Sequence, residues 1–438
     1  MQHFQTSFFY DLQELVRHSP LLRKYYYLFR ALDLSALPDR NHGVGATGHS
    51  RHAILRALII KHLERIKTVP ELLDYLNAIP PLAEMCGFEL GHLPDETQFY
   101  RFLKKTQNST LKAVHQKAND VLIQDGLISL DEFILDSKPV LAATRENNFK
   151  NPNRNTRDKT RKPKRNPRAT LSYYSCQVIN GKKENMIFFW GYRTHALITQ
   201  EGICLVEKTL PNNLTDAQAA FHLLKALQRR FGVQKGAIFI ADKAYDVRDL
   251  YTFIVEQMKA QPYIPLNPRN QKEDKTFGPH GGPLCDAGIE MKSAGKWTDG
   301  NRQRVKFRCP LKTGKKIAAR YDHACPAQHP LFDTGKGYGC TKYLDVTHDA
   351  RAQVPRDSKH FKQTFKDRER IEQYFSRLGD REVEQTTHYA FTSISNQMTI
   401  AHLTASLVAV AAAILLKQPA KMRCYRTFAY PAKPRHTG

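Results

Sequence analysis

The sequence predicts a mixed α/β protein that carries an all-helical N-terminal region and a β-rich insertion. Three observations predict it. Residues up to about 118 place apolar side chains at helical spacing. From about residue 128, strand-like and helical runs alternate, the pattern of a mixed sheet flanked by helices. Residues 262 to about 345 turn rich in Gly, Pro and Cys and hold only short strand-like runs. A chain of 438 residues exceeds one ordinary core, so several domains are expected. The expected divisions are 1–118 (helical, for DNA binding or dimerisation), 128–260 (first part of the core), 261–345 (insertion) and 346–420 (last part of the core).

In chain order, HAILRALIIKHLERI (52–66) and VPELLDYLNAI (69–79) read as helices. LPDETQFYRFLKKT (93–106) follows with Asp95 as its N-cap. LISLDEFILDSKPV (127–140) reads as a strand that ends at Asp136 and is stopped by Pro139. SYYSCQVING and ENMIFFWGYRTHAL (172–197) read as a hairpin, FHLLKALQRRFG as a helix and GAIFIADKAYD (236–246) as a strand ending at Asp242. Asp246 is expected to cap the helix after it. Within the insertion, QRVKFRCPL and KKIAARYDH look strand-like. RERIEQYFSRLGD (368–380) reads as helix, with Ile371, Phe375 and Leu378 on one stripe and Arg368 and Glu372 four apart on another face.

Net charge of +25 and a pI near 9.7 exceed what solubility requires, and such a field attracts polyanions, nucleic acid first among them. Residues 151–168 hold eight Lys/Arg against one acid and no apolar residue. Arg161, Lys162, Lys164 and Arg165 are the candidate phosphate contacts there, against the plain alternative of a solvated loop. Eight cysteines without a CxxC pair suit a reducing cytosol, so a cytoplasmic, nucleoid-associated protein is expected. Asp11 and Glu14 fall where a signal peptide needs an apolar run. The largely apolar 17-residue run from Ile400 to Leu416 includes His402, Thr404 and Ser406 and reads as a buried core helix, with no membrane partner expected.

Asp136 and Asp242 each end a strand of the same α/β unit, and Glu372 lies on the later helix. Carboxylates brought together repel unless protonated or bridged by a divalent cation. Hard oxygen ligands suit Mg²⁺ or Mn²⁺, and two such ions about 4 Å apart serve in-line phosphodiester displacement. Taken singly, each aspartate could equally be an ordinary turn residue.

With these residues in view, the sequence resembles bacterial and archaeal insertion-sequence transposases of the DDE type, from about residue 50 to 415. LDSKPV resembles the first aspartate motif, IADKAYD the second, GYRTHALI the segment after the hairpin, and VPRDSKHFKQTFKDRERIEQYFSRL the glutamate-bearing helix. The N-terminal HAILRALIIKHLERIKTVPELLDYL and LPDETQFYRF are similar to the helical domain before that core. The resemblance implies an RNase H-like core, a metal-binding triad of Asp136, Asp242 and Glu372, and Arg368 on a DNA phosphate. It implies hydrolysis at the element's ends, attack of the freed 3′-OH on target DNA, and a homodimer holding both terminal inverted repeats. In such helices Tyr often stands where this chain has Phe365 and Lys where it has Gly379, which leaves Arg377 or Arg381 as the replacement cation. His195 and Lys243 are further candidate phosphate contacts, each against a structural or solvated alternative.

Cys285, Cys309, Cys325 and Cys340, with His323 and His329 near the third, are candidate zinc ligands in the insertion. Their spacings of 24, 16 and 15 are not those of close ligand pairs, and reduced, buried thiols are the alternative. The rival functions are a metal-dependent nuclease that cuts without joining, a transposase relic that only binds DNA, and an RNA-binding protein. The last explains the charge but not the carboxylates.

Overall fold

The computed structural model describes residues 11–429, apart from 41–47, 90, 149–161, 180–181, 268–276, 300–301, 334–338, 346–349, 352–353 and 380. The chain forms two compact units. The first comprises Met1–Ser129, Ser137–Leu214 and Glu372–Gly438; the second comprises Leu130–Asp136 and Thr215–Ile371.

Seven helices come first: α1 (Leu12–His18), α2 (Pro20–Arg30), α3 (Arg51–Leu63), α4 (Val69–Ala78), α5 (Pro80–Cys86), α6 (Glu96–Lys105) and α7 (Asn108–Gln124). Side-chain caps set their starts: Ser50 accepts from Ala53 N–H, Thr68 from Glu71 N–H and Asp95 from Thr97 N–H, each satisfying an orphan donor of the first turn. Strands β1 (Glu132–Leu141), β2 (Thr170–Ile179), β3 (Lys182–Thr199) and β4 (Cys204–Pro211) follow. Next come α8 (Asp216–Phe231), β5 (Ile238–Ala241), α9 (Arg248–Thr252) and β6 (Gln261–Tyr263). The remaining elements are β7 (Lys292–Asp299), β8 (Arg302–Arg308), α10 (Pro310–Thr313), α11 (Lys315–Ala319), β9 (Thr341–Asp345), α12 (Lys359–Thr364), α13 (Glu369–Leu378), α14 (Arg381–Glu384) and α15 (Phe391–Val410). Strands hydrogen-bond in the order β2-β3-β1-β5-β6, with β4 also on β3, so the fold is the expected mixed α/β one, a mixed sheet flanked by helices.

In the first unit, β2 and β3 form the expected antiparallel hairpin, and the far half of β3 pairs with β4. Gly191 permits a close approach, since a Cβ there would fall 2.2 Å from Val140 O. The apolar segment near the C-terminus is α15, buried along nearly its whole length. Among the described residues one helix is long and apolar enough to cross a membrane, and it is this one, 89% buried in its most apolar window. Polar side chains fix it to the N-terminal helices. Asn396 Nδ2 donates to Leu103 O and Thr106 O, both at 2.8 Å, and His115 Nε2 pairs with Ser406 Oγ at 3.0 Å. The helices expected as a separate domain therefore pack on α15 within one unit, and the helical run continues to Gln124.

In the second unit, β5 runs parallel to both β1 and β6, and the Phe133 and Phe239 rings stack at 5.0 Å. A capping box of Thr215 and Gln218 starts α8, which buries Ala220, Leu223, Leu224 and Leu227. The insertion carries the antiparallel sheet β7-β8-β9 over a small core that includes Met291, Val305, Phe307 and Phe332. Three expectations change. KKIAARYDH is not a strand: its Lys, Ala and Arg favour helix, and Lys315–Ala319 form α11. β1 continues through Pro139, whose fixed φ suits extended chain and which takes no part in the β5 ladder ending at Leu135↔Ala241. Asp246 caps no helix; Val247 precedes α9 without a side-chain cap, and the Asp246 carboxylate is spent on Arg351.

Candidate catalytic site

The site begins with register. β1 and β5 are parallel neighbours paired from Glu132↔Ile238 to Leu135↔Ala241. Strands so paired lie about 4.8 Å apart, so the next residues, Asp136 and Asp242, leave the ladder side by side. Apolar, β-branched and aromatic residues before each (Phe133-Ile134-Leu135 and Phe239-Ile240-Ala241) bury the strands and bring the acids to a partly open edge. Asp242 Oδ1 accepts from Ala244 N–H at 2.7 Å, which turns the chain into a 3-10 turn over Lys243–Tyr245. Arg368 Nη2 reaches Asp136 Oδ2 at 3.5 Å. Burial pushes the Asp242 carboxyl above its usual range, and Asp216 pushes the same way, while the Ala244 N–H, Arg368 and Lys243 pull it back. A half-buried carboxylate that resists ionisation beside a second carboxylate is a place where a cation lowers the energy.

Glu372 is exposed on α13, one helical turn beyond Arg368, where the chain passes into the first unit. Among the described residues, no group of three or more His, Cys, Asp or Glu is arranged to hold a metal ion. The two aspartates fit a hard divalent cation by donor type, partial exposure and the charge they share. They make up only part of a ligand set.

The other expected residues separate into three kinds. Lys243 is exposed beside Asp242, and Lys162, Lys164 and Arg165 are exposed in the basic segment. Arg165 is also oriented, with Nη1 donating to Tyr389 OH at 3.3 Å. Arg161 lies outside the described residues. His195 is a correction: it is 1% exposed within β3, flanked by the fully buried Thr194 and Ala196, so no phosphate reaches it there. Arg377 belongs to the first unit, and its Nε and Nη2 are buried.

The four insertion cysteines gather around one apolar core: Cys285, Cys309 and Cys340 are buried in it, and Cys325 packs against it. Burial first, then Cys309, pushes the Cys340 thiol up to about 12. Cys285, Cys309 and Cys325 all act on the Cys340 thiol, so the four come together in the insertion, and none is in a disulfide.

Residues the sequence reading passed over also sit here. In GYRTH the side chain that hydrogen-bonds next to Asp136 is that of Arg193, whose Nη1 donates to Ser137 Oγ at 3.1 Å. Lys138 extends to the end of α13, donating to Phe375 O at 3.2 Å and pairing with Glu384 at 2.8 Å. Gly379 leaves the room: a Cβ there would fall 2.3 Å from Lys138 Nζ. The space at Gly379 is thus filled by a cation from β1, a contact between segments that no local pattern signals. Asn166, fully buried, pins the basic segment by donating to Ala143 O at 3.3 Å and accepting from Tyr192 OH at 3.3 Å.

Comparison with known proteins gives two family matches. The family described as Transposase DDE domain matches residues 130–407, and that described as Transposase domain (DUF772) matches residues 7–105. No curated protein sequence matches the chain. Among solved structures, a piggyBac transposase synaptic complex with hairpin DNA aligns at 11% identity, covering 94% of this chain and 79% of that one, with a TM-score of 0.39. A Mos1 transposase paired-end complex with the left transposon end aligns at 14% identity over 55% of this chain and 66% of that one, TM-score 0.16. Likenesses this slight carry no functional conclusion.

Proposed function

The chain belongs to the transposase DDE-domain family, and from that premise we propose that it cuts DNA at the ends of a mobile element and joins the freed 3′-OH to target DNA. The observation that supports this most is the placement of Asp136 and Asp242 on adjacent parallel strands with Arg368 against Asp136. In this reading Asp136, Asp242 and Glu372 are the carboxylates that hold Mg²⁺ or Mn²⁺, two ions in the complete site. Such ions, when bound, acidify water and stabilise charge on the attacking and leaving oxygens.

The protein's own side chains do the rest. Arg368 pairs with Asp136 and offers a guanidinium edge to a phosphate. Lys243 contacts a neighbouring phosphate from its exposed position, and Lys162, Lys164 and Arg165 track the strand outside the site. Arg193 and Ser137 fix the backbone that follows Asp136. Holding two element ends at once calls for a dimer on DNA.

The test incubates purified protein and Mg²⁺ with a duplex carrying the DNA that flanks its own gene. Wild type and Glu372→Gln are compared, and each new 3′ end is mapped. Discrete cuts at the element boundary, lost in the variant, with joined products in the wild type, support the proposal. Cuts without joining identify a nuclease; tight binding without cuts identifies a DNA-binding relic; equal cutting by both proteins removes Glu372 from the site.

A further inference from the structure

Four arginines of the first unit converge on one cavity of about 270 Å³. Arg65 follows α3 in a left-handed conformation (φ 60°), Arg377 comes from the last turn of α13, and Arg423 and Arg426 come from the segment after α15. Among the described residues lining it there is no Asp or Glu. Arg377 lines it and hydrogen-bonds Tyr425, while its Nε and Nη2 are buried without a hydrogen-bond partner. Burial, with the charge of Arg426 added, pushes Arg65 below the usual arginine range. His62 at the edge is pushed down to about 4 by burial, then Lys61 and Arg65, so it is neutral at pH 7 and offers the arginines neither competition nor relief.

Guanidinium groups held around one space repel, and buried N–H donors without acceptors are costly. One ligand answers both: an oxyanion whose geometry matches the guanidinium fork, as phosphate does. The volume falls below the roughly 300–1,000 Å³ of cavities that enclose a small molecule, which suits a phosphate rather than a whole nucleotide. We propose that this cavity binds one backbone phosphate of DNA, a contact separate from the carboxylate site. It rests on the DNA-binding part of the proposed function.

The test replaces the two exposed arginines, Arg423→Ala with Arg426→Ala, and measures binding of a duplex by fluorescence anisotropy across a salt series. Losing one phosphate contact makes the slope of log K against log[salt] shallower by about 0.9 and weakens binding about eightfold at 0.1 M salt. The control pair Lys225→Ala with Arg229→Ala, exposed on α8, removes equal charge and is expected to leave the slope unchanged. Equal losses in both pairs mean a general field effect and overturn the proposal. Inorganic phosphate at fixed ionic strength is expected to raise the Tm of wild type and not of the cavity variant. A Tm effect alone, with the DNA slope unchanged, makes this a free-anion site and also overturns it. Both readouts are binding measurements, so a protein that fails to cut DNA still decides the matter.

Discussion

Arg351→Ala is expected to loosen the segment that carries Asp242, and the structure sets how much. Asp246, four residues after Asp242, has no exposed side-chain surface. It accepts from Arg351 Nε and Nη2, both at 2.6 Å, and from Asn267 N–H at 2.7 Å. Two charge-assisted hydrogen bonds at about 1.5–3 kcal/mol each give about 3–6 kcal/mol. Removal of one partner from a buried pair elsewhere costs about 3–5 kcal/mol, so a loss near 4 kcal/mol is expected. The pH dependence gives a second reading. Burial alone would raise the Asp246 carboxyl, but the Arg351 and Asn267 hydrogen bonds outweigh it and hold the group below the usual aspartate range. Its stabilisation is therefore present above the unfolded value and lost as pH falls through the lower folded value. Without Arg351 the burial remains against the Asn267 and Tyr251 bonds alone, so the carboxyl moves up and less of this group's stabilisation is lost as pH falls. Urea denaturation of wild type and variant between pH 3 and 7 measures both effects. A variant within 1 kcal/mol of wild type at pH 7, or one with the wild-type pH slope, refutes the reasoning.

Other outcomes follow from neighbouring contacts. Because burial raises Asp242, its folded form holds a proton more readily than the unfolded chain, so this group's stabilisation declines as pH rises from the usual carboxylate range through the raised value. Asp242→Asn should flatten that decline, and Mg²⁺ should raise the Tm of wild type at pH 7 more than that of the variant. Gly379→Ala places a Cβ 2.7 Å from Phe375 O and against Lys138 Nζ; crowding of this kind costs about 1–3 kcal/mol, readable by urea denaturation and absent if the backbone there yields freely. Tyr374→Phe removes the hydrogen bond between its hydroxyl and buried His402 Nδ1 at 2.6 Å, at about 1–3 kcal/mol; calorimetry showing no change would mean that His402 finds another partner.

What the sequence makes legible is local. Asp95 declares its helix because the cap lies beside the turn it satisfies, and Asp136 and Asp242 stand out because acids end two short apolar runs. Long-range pairings leave no such trace. Asp246 reads as a cap, yet its partner Arg351 is 105 residues away. His195 reads as accessible because it follows an apolar strand, but β3 is covered where it sits. Lys138 and Gly379 look like unrelated residues until the strand meets the helix end. The N-terminal helices look separable because their contacts with α15 run through Asn108, His115, Asn396 and Ser406, polar residues that periodicity treats as surface.

The central claim, that Asp242 is a metal ligand in DNA cleavage, is tested most directly by Asp242→Cys assayed with Mg²⁺ and then with Mn²⁺. A thiolate is a poor ligand for the harder Mg²⁺ and a better one for Mn²⁺. The account predicts cutting abolished in Mg²⁺ and regained in part with Mn²⁺, at the wild-type positions. Cutting at the wild-type rate in Mg²⁺ would show that Asp242 holds no metal.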